Sequence, residues 1–263
     1  MPELPEVETV VRSLAPHLTG RTIQHAEFYS RLVTRGDRAQ AANALTGAVI
    51  LKIRRRGKQI FFDLDRGLLY IHLGMTGKLL WNGAPGKHAR ALLQLDTGIL
   101  IYDDIRQFGR VEFFETLPTA LNRLGPDALN IAFEDFYARL KQHRGHVKPL
   151  LLNQSFLGGL GNIYIDEIRF AARIHPRASV ARISKQRAAT LHAKLTEVLH
   201  LAIHHRGSSI SDYVDGAGER GAFQQLHRVY GRAGKPCLNC GTPIRRIVIA
   251  QRGTHYCPRC QRT

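Results

Sequence analysis

Four cysteines constrain this 263-residue chain more than any other feature, because they fall as two pairs, Cys237/Cys240 and Cys257/Cys260, at its C-terminal end. Each pair is a C-x2-C knuckle, and 16 residues separate the two. Two such knuckles can place four thiolates tetrahedrally around one zinc ion with a β-hairpin between them. Pro243 to Ala250 and Gly253 to Tyr256 are the expected strands of that hairpin. Two disulfides would also use four cysteines, but the acidic start Met1-Pro2-Glu3-Leu4-Pro5-Glu6 is unlike a secretory signal, and a reducing compartment disfavours disulfides. The zinc is expected to be structural, since four thiolates leave no open coordination position.

Upstream, the patterning changes twice. Residues 3–15 carry Leu4, Val7, Val10, Val11 and Leu14 at helical spacing, which predicts an amphipathic helix. From about Ile23 to Phe114 the runs are short and β-rich: 48–53, 59–64, 68–73, 91–95, 99–102 and 111–114. Turn signals such as Asp65-Arg66-Gly67 and Asp96-Thr97-Gly98 separate them, as in an antiparallel sandwich or barrel. After Leu117-Pro118 the segments 133–143, 148–154, 163–173 and 185–205 fit helices. The Gly- and Ser-rich stretch 207–221 reads as a mobile loop. The expected class is α+β: an N-terminal helix and antiparallel sandwich (1–117), a linker (118–130), a helical domain (131–226) and a four-cysteine finger (227–263).

Charge narrows the partners. Lys and Arg number 38 against 21 Asp and Glu, a formal net charge of +17 in a chain of ordinary globular composition. Such a field seeks a polyanion, whether nucleic acid, an anionic membrane surface or an acidic protein. No apolar run is long enough to span a bilayer, so a cytoplasmic location is expected. Lys52 to Lys58 holds five cations in seven positions, enough to neutralise phosphates, although a charge run can equally be a solvated strand face.

Pro2 follows the initiator Met, and a small residue there normally permits removal of Met1. The exposed amine would be secondary, with a pKa near 8, so a useful fraction is unprotonated at neutral pH. Attack by such an amine on a sugar C1′ with loss of the base gives an iminium, as in Schiff-base catalysis by lysines. Glu3 and Glu6 can protonate a leaving group or ring oxygen there, or they can simply complement the helix macrodipole.

The start Met1-Pro2-Glu3-Leu4-Pro5-Glu6-Val7-Glu8-Thr9-Val10 resembles that of bacterial formamidopyrimidine-DNA glycosylases. The likeness continues through Arg56-Gly57-Lys58, His72-Leu73-Gly74-Met75-Thr76-Gly77, Asp104-Ile105-Arg106-Gln107-Phe108-Gly109 and Gly159-Leu160-Gly161-Asn162-Ile163-Tyr164-Ile165-Asp166-Glu167 to the finger with Gln251-Arg252-Gly253-Thr254. It implies a bifunctional glycosylase and abasic-site lyase of base excision repair that removes oxidised purines and cuts by β,δ-elimination. Pro2 would be the nucleophile, Glu3 the general acid, Glu6 their support, and Lys58 a proton donor or phosphate contact. Arg252 would clamp a phosphate at the finger tip and assist elimination.

By the same resemblance Met75, Arg106 and Phe108 would fill the void left by an extruded nucleotide, which suits an apolar wedge, a planar cation and a stacking ring. His72, His88 and Asn162 would contact DNA, and His143 stands where relatives can carry a lysine. The 212–221 loop is similar to the family's lesion-capping loop. Damaged duplex DNA is the expected partner, one structural zinc the only cofactor, and the chain is expected to be a monomer associated with the nucleoid. An endonuclease VIII-type enzyme for oxidised pyrimidines shares the fold but usually begins Pro-Glu-Gly-Pro-Glu, against Leu4 here. A non-catalytic zinc-ribbon DNA-binding protein would explain the charge and cysteines but not Pro2.

Overall fold

A computed structural model describes residues 1–262. They form two compact units, Met1–Arg123 with His205–Ala222, and Leu124–His204 with the chain from Phe223 onward. The first unit contains, in chain order, α1 (Leu4–Leu18), β1 (Ile23–Phe28), α2 (Arg38–Leu45), β2 (Ile50–Arg56), β3 (Gln59–Leu64), β4 (Leu68–His72), β5 (Lys78–Trp81), β6 (Ala89–Leu95), β7 (Gly98–Asp103) and β8 (Arg110–Phe114).

Helix α1 forms because Leu4, Val7, Val10, Val11, Leu14 and Leu18 return to one face every three or four residues, and all of them are buried. Its first turn is fixed by the Glu6 carboxylate, which accepts the Glu3 N–H at 2.8 Å. Pro5 also suits that turn, where no intrahelical N–H is required. A cap of this kind contributes about 1 kcal/mol.

The strands make two antiparallel four-stranded sheets, ordered β1-β6-β7-β5 and β2-β3-β4-β8. Alternation decides which residues enter the core. Ile60, Phe62 and Leu64 of β3 join the main cluster with α1 and both sheets, while Phe61 points the other way and packs with Leu68 and Tyr70. Each fully buried apolar side chain of this kind is worth roughly 1.5–3 kcal/mol, so a one-residue slip of β3 would cost several such contacts.

The second unit contains α3 (Phe133–Lys141), α4 (Val147–Leu152), α5 (Asn162–Ala171), α6 (Lys185–His204), β9 (Arg245–Ile249) and β10 (Arg252–Tyr256). Ala188, Leu191, Leu195, Val198, Leu199 and Ala202 form the buried stripe of α6. Strands β9 and β10 pair as an antiparallel hairpin. The α+β class expected from the sequence is therefore the one observed.

The stretch 205–222 groups with the first unit, not with the helices that precede it in the chain. Composition predicts a mobile loop, yet named bonds hold it. The Trp81 N–H donates to the Gly216 carbonyl at 2.9 Å, the Gly216 N–H donates to Ser13 Oγ at 2.9 Å, and Asp215 Oδ1 accepts the N–H groups of Ala217 and Glu219 at 3.0 Å. Glycine and serine here serve close backbone approach and local hydrogen bonding.

Candidate active site and nucleic-acid interface

The N-terminal residues are held from two directions. Pro2, Glu3 and Glu6 are buried, while Met1 is 52% exposed. Glu6 uses one carboxylate oxygen for the Glu3 N–H and the other for the Ser208 N–H at 2.7 Å, and its carbonyl accepts the Tyr213 hydroxyl at 3.2 Å. Glu6 thus ties the first helical turn to the 205–222 segment and fixes the backbone that carries Pro2 and Glu3.

Lys58, 8% exposed, sits in the turn between β2 and β3. Arg55 positions that turn: its Nε donates to Glu8 of α1 at 2.8 Å and its Nη1 to the Gly57 carbonyl at 2.9 Å. Burial pushes the Glu8 carboxyl up, but the hydrogen bonds and charges of Arg55 and Arg12 outweigh it, and the group lies below the usual carboxylate range. Arg54 makes a bidentate pair with Asp63, at 2.7 and 2.9 Å, and lies 4.6 Å over the Phe61 ring. Arg54 and Arg55 of the basic run are therefore spent on carboxylates of the same unit, and the run is not a uniform phosphate-binding field.

His72 ends β4 and pairs in register with Gln59 and Arg110. Burial first, then the charges of Lys58 and Arg110, lowers its pKa to about 4. The ring is neutral at physiological pH. Its Nδ1 accepts the Gly74 N–H at 3.1 Å, so the proton resides on Nε2 and that edge can donate.

Met75 and Phe108 are 40% and 55% exposed. They lie on two short connections, before β5 and before β8. The Arg106 guanidinium carbon lies 4.6 Å over the Phe108 ring, so the planar cation and the aromatic ring present a joint face. His88 is half-buried at the start of β6, where its carbonyl accepts the Asp104 N–H at 3.0 Å.

In the second unit the four cysteine Sγ atoms lie within 4.8 Å of one another as free thiols. Cys237 and Cys260 are 3.9 Å apart, Cys240 and Cys257 3.5 Å. A tetrahedral zinc–thiolate centre with Zn–S of about 2.3 Å has edges of about 3.8 Å, so the residues fit one zinc ion held by four ligands. That site is structural: the metal would hold the finger's fold and supply no reaction chemistry.

The β9–β10 turn is tight, with Ala250 at φ 48° and Gln251 at φ 57°, and it presents exposed Arg252. The next residue is clasped twice: the Gly253 carbonyl accepts Asn162 Nδ2 at 2.9 Å and Lys148 Nζ at 3.4 Å. Asn162 therefore spends one amide proton on the finger and keeps one for another acceptor. Deeper in, the fully buried Asp166 carboxylate accepts Lys148 Nζ at 2.7 Å, Arg169 Nη2 at 2.5 Å and the His255 N–H at 2.7 Å. Burial raises the Asp166 pKa, but hydrogen bonds from His255 and the charges of Arg169 and Lys148 prevail and hold it below its ordinary value. Glu167 accepts three consecutive N–H groups, from Arg228, Val229 and Tyr230, at 2.7–2.9 Å. Together these carboxylates dock the finger on α5.

Models of known families match nearly the whole chain: the formamidopyrimidine-DNA glycosylase N-terminal domain over residues 1–111, the H2TH domain of the same enzymes over 124–214, and the zinc finger found in FPG and IleRS over 234–263. The formamidopyrimidine-DNA glycosylase of Solibacter usitatus is 54% identical over 264 residues, covering all of both chains. The chain belongs to the formamidopyrimidine-DNA glycosylase family. A solved Fpg structure from Thermus thermophilus, 40% identical, superposes with a TM-score of 0.89 over 99% of this chain and 98% of that one. A Lactococcus lactis Fpg variant, solved in complex with a Fapy-dG containing DNA, is 37% identical with a TM-score of 0.91 over all of both chains.

Within this formamidopyrimidine-DNA glycosylase fold, His143 is held by its own neighbours. It lies just beyond α3, its Nδ1 donates to the Arg139 carbonyl at 2.8 Å, and its ring packs edge-on against Phe156 with centroids 5.3 Å apart. Only Nε2 remains for an outside partner. Arg55, Asp104, Lys148, Asp166 and Glu167 are the residues that sequence reasoning left without a role. The two Asp and the Glu lie inside quoted family motifs, and their placement beside exposed site residues was the available signal.

Proposed function

We propose that this formamidopyrimidine-DNA glycosylase excises oxidised purines from duplex DNA through the amine of Pro2 and then cleaves the strand at the abasic site. The observation that carries the reading is the N-terminus itself, where Pro2 is buried at the head of α1 with Glu3 beside it and Glu6 fastened at both carboxylate oxygens. In this reading Met1 is removed and the amine attacks C1′. The N–C1′ bond forms, the glycosidic bond breaks, and its electron pair leaves with the base, which takes a proton from the Glu3 or Lys58 side. The Pro2 nitrogen then loses its proton, the C1′–O4′ bond breaks with O4′ taking a proton as the sugar ring opens, and the secondary amine is left as a cationic iminium. The C2′ proton is then acidic, its loss expels the 3′ phosphate, and a second elimination expels the 5′ phosphate.

Extrusion of the nucleotide precedes chemistry, because C1′ is inaccessible in a stacked duplex. Met75, Arg106 and Phe108 fill the void, and the donor edge of His72, with Lys58 and His88, engages phosphates. Arg252 and Asn162 hold the backbone from the zinc-finger unit. The 212–221 segment covers the lesion, catalysis resides in the N-terminal domain, and the protein works as a monomer at the nucleoid. No described helix is long and apolar enough to cross a membrane.

The test is paired excision on 8-oxoguanine and thymine glycol duplexes. The reading expects faster release of 8-oxoguanine; a preference for thymine glycol would assign the chain an endonuclease VIII-type specificity instead.

A further inference from the structure

Asp104 is fully buried and stands directly before the loop that carries Arg106 and Phe108. Its carboxylate gathers four donors. Oδ1 accepts the Thr76 hydroxyl at 2.5 Å and the Arg106 N–H at 3.2 Å, and Oδ2 accepts the Gly109 N–H at 2.9 Å and the Tyr102 hydroxyl at 3.3 Å. Thr76 immediately follows Met75, and its hydroxyl oxygen also accepts the Arg106 N–H at 3.1 Å. One carboxylate therefore binds the backbone on both sides of Phe108 and the side chain next to Met75.

The two loops are also in backbone contact. A Cβ on Gly74, whose φ is +61°, would lie 2.6 Å from both the Phe108 carbonyl carbon and the Gly109 nitrogen, and one on Gly109 would lie 2.6 Å from the His72 carbonyl oxygen. Glycine at both positions permits this approach. Asp104 is held in turn from outside: its N–H donates to the His88 carbonyl at 3.0 Å, and its carbonyl accepts Arg90 Nε at 2.9 Å. The Tyr102 phenol stays protonated, since burial and then the charge of Asp104 push its pKa up, so it serves as a donor.

We propose that Asp104 is a positioning residue that makes the Met75 loop and the Arg106–Phe108 loop enter DNA as one rigid wedge. This deepens the proposed function, resting on its assignment of those three side chains to the void left by the extruded nucleotide. Two wedges moving independently would each need to be ordered on binding, whereas a shared buried carboxylate orders them in advance. The coupling matters only where base pairs must be opened, so its loss separates DNA opening from the chemistry at C1′.

The substitution Asp104→Asn keeps shape and Oδ1 but turns an N–H donor toward the Gly109 N–H. Thr76→Val is the milder variant, removing only the hydroxyl between the loops. Borohydride trapping rates are compared on two abasic-site duplexes, one fully paired and one with the site inside a run of unpaired bases, with 2-aminopurine opposite the site to report wedge insertion. The proposal expects Asp104→Asn to slow trapping on the paired duplex at least tenfold more than on the unpaired one and to reduce the 2-aminopurine response. Thr76→Val should move both readouts in the same direction by a smaller factor. Equal losses on both duplexes, as from general loosening of the fold, would overturn it, and so would an unchanged ratio with an intact 2-aminopurine response in Thr76→Val. If the unsubstituted protein gave no trapped adduct on either duplex while still inserting into the paired one, the amine chemistry would fail and the wedge would stand.

Discussion

Replacing Asp166 by Ala removes the carboxylate that Lys148, Arg169 and the His255 N–H share, in a place where all three charged side chains are fully buried. Deleting one member of a buried ion pair costs about 3–5 kcal/mol, because the partner charge stays desolvated. Loss of the acceptor for the His255 N–H adds to this, though not additively, since the bonds form one network. We expect a net loss of about 4 kcal/mol from the second unit, which for a unit of this size lowers its melting temperature by roughly 10–20 °C. Calorimetry of zinc-loaded protein at pH 7 measures the shift. The sign of the acid dependence is fixed as well. The folded pKa of Asp166 is below its unfolded value, so its contribution is complete above about pH 4 and lost as pH falls through the folded value. The variant lacks that component. A shift below about 3 °C in the zinc-loaded variant would refute the view that this triad fastens the finger to α5.

Arg252→Ala should weaken duplex binding and reduce the salt slope of log K by about one unit, as one lost phosphate contact does; an unchanged slope in a salt titration would place Arg252 off the backbone. Stripping the metal with a chelator should abolish duplex binding by unfolding the finger, and a verified metal-free protein that retains affinity in gel shifts would contradict this. His72 and His227 both have pKa values lowered to about 4, chiefly by burial. Each is neutral when folded and charges on unfolding below about pH 6.5, so stability should fall as pH drops from about 6.5 to 4. Denaturant titrations of His72→Gln should show a slope of stability against pH that is smaller by one proton in that window.

The sequence made the framework legible where periodicity was strong. Helices α1 and α6 follow helical spacing that burial confirms, whereas β3, β4 and α5 read as short apolar runs and are buried on more than one face. Helix α2 escaped because only Leu45 of its eight residues is buried, leaving no apolar stripe to see; its one local signal was Asp37, whose Oδ1 caps the N–H groups of Ala39 and Gln40. Strand β5 is four residues long and too short for a pattern. The exposed site residues could be named from motifs, but what holds them could not. His255 is 89 residues from Asp166, and Thr76 is 28 from Asp104, so those contacts exist only after the chain has folded. A charge count is blind for the same reason: Arg54 and Arg55 add to the net charge, but Asp63 and Glu8 stand opposite them in the fold.

The proposed chemistry requires a free amine at Pro2. Intact mass determination followed by borohydride reduction on an abasic-site duplex tests it most directly. The expected result is a protein lacking Met1 and a covalent protein–DNA adduct linked at Pro2, with Pro2→Gly impaired in trapping while duplex binding is largely kept. A chain verified to begin at Pro2 that binds the duplex and yields no adduct would contradict it.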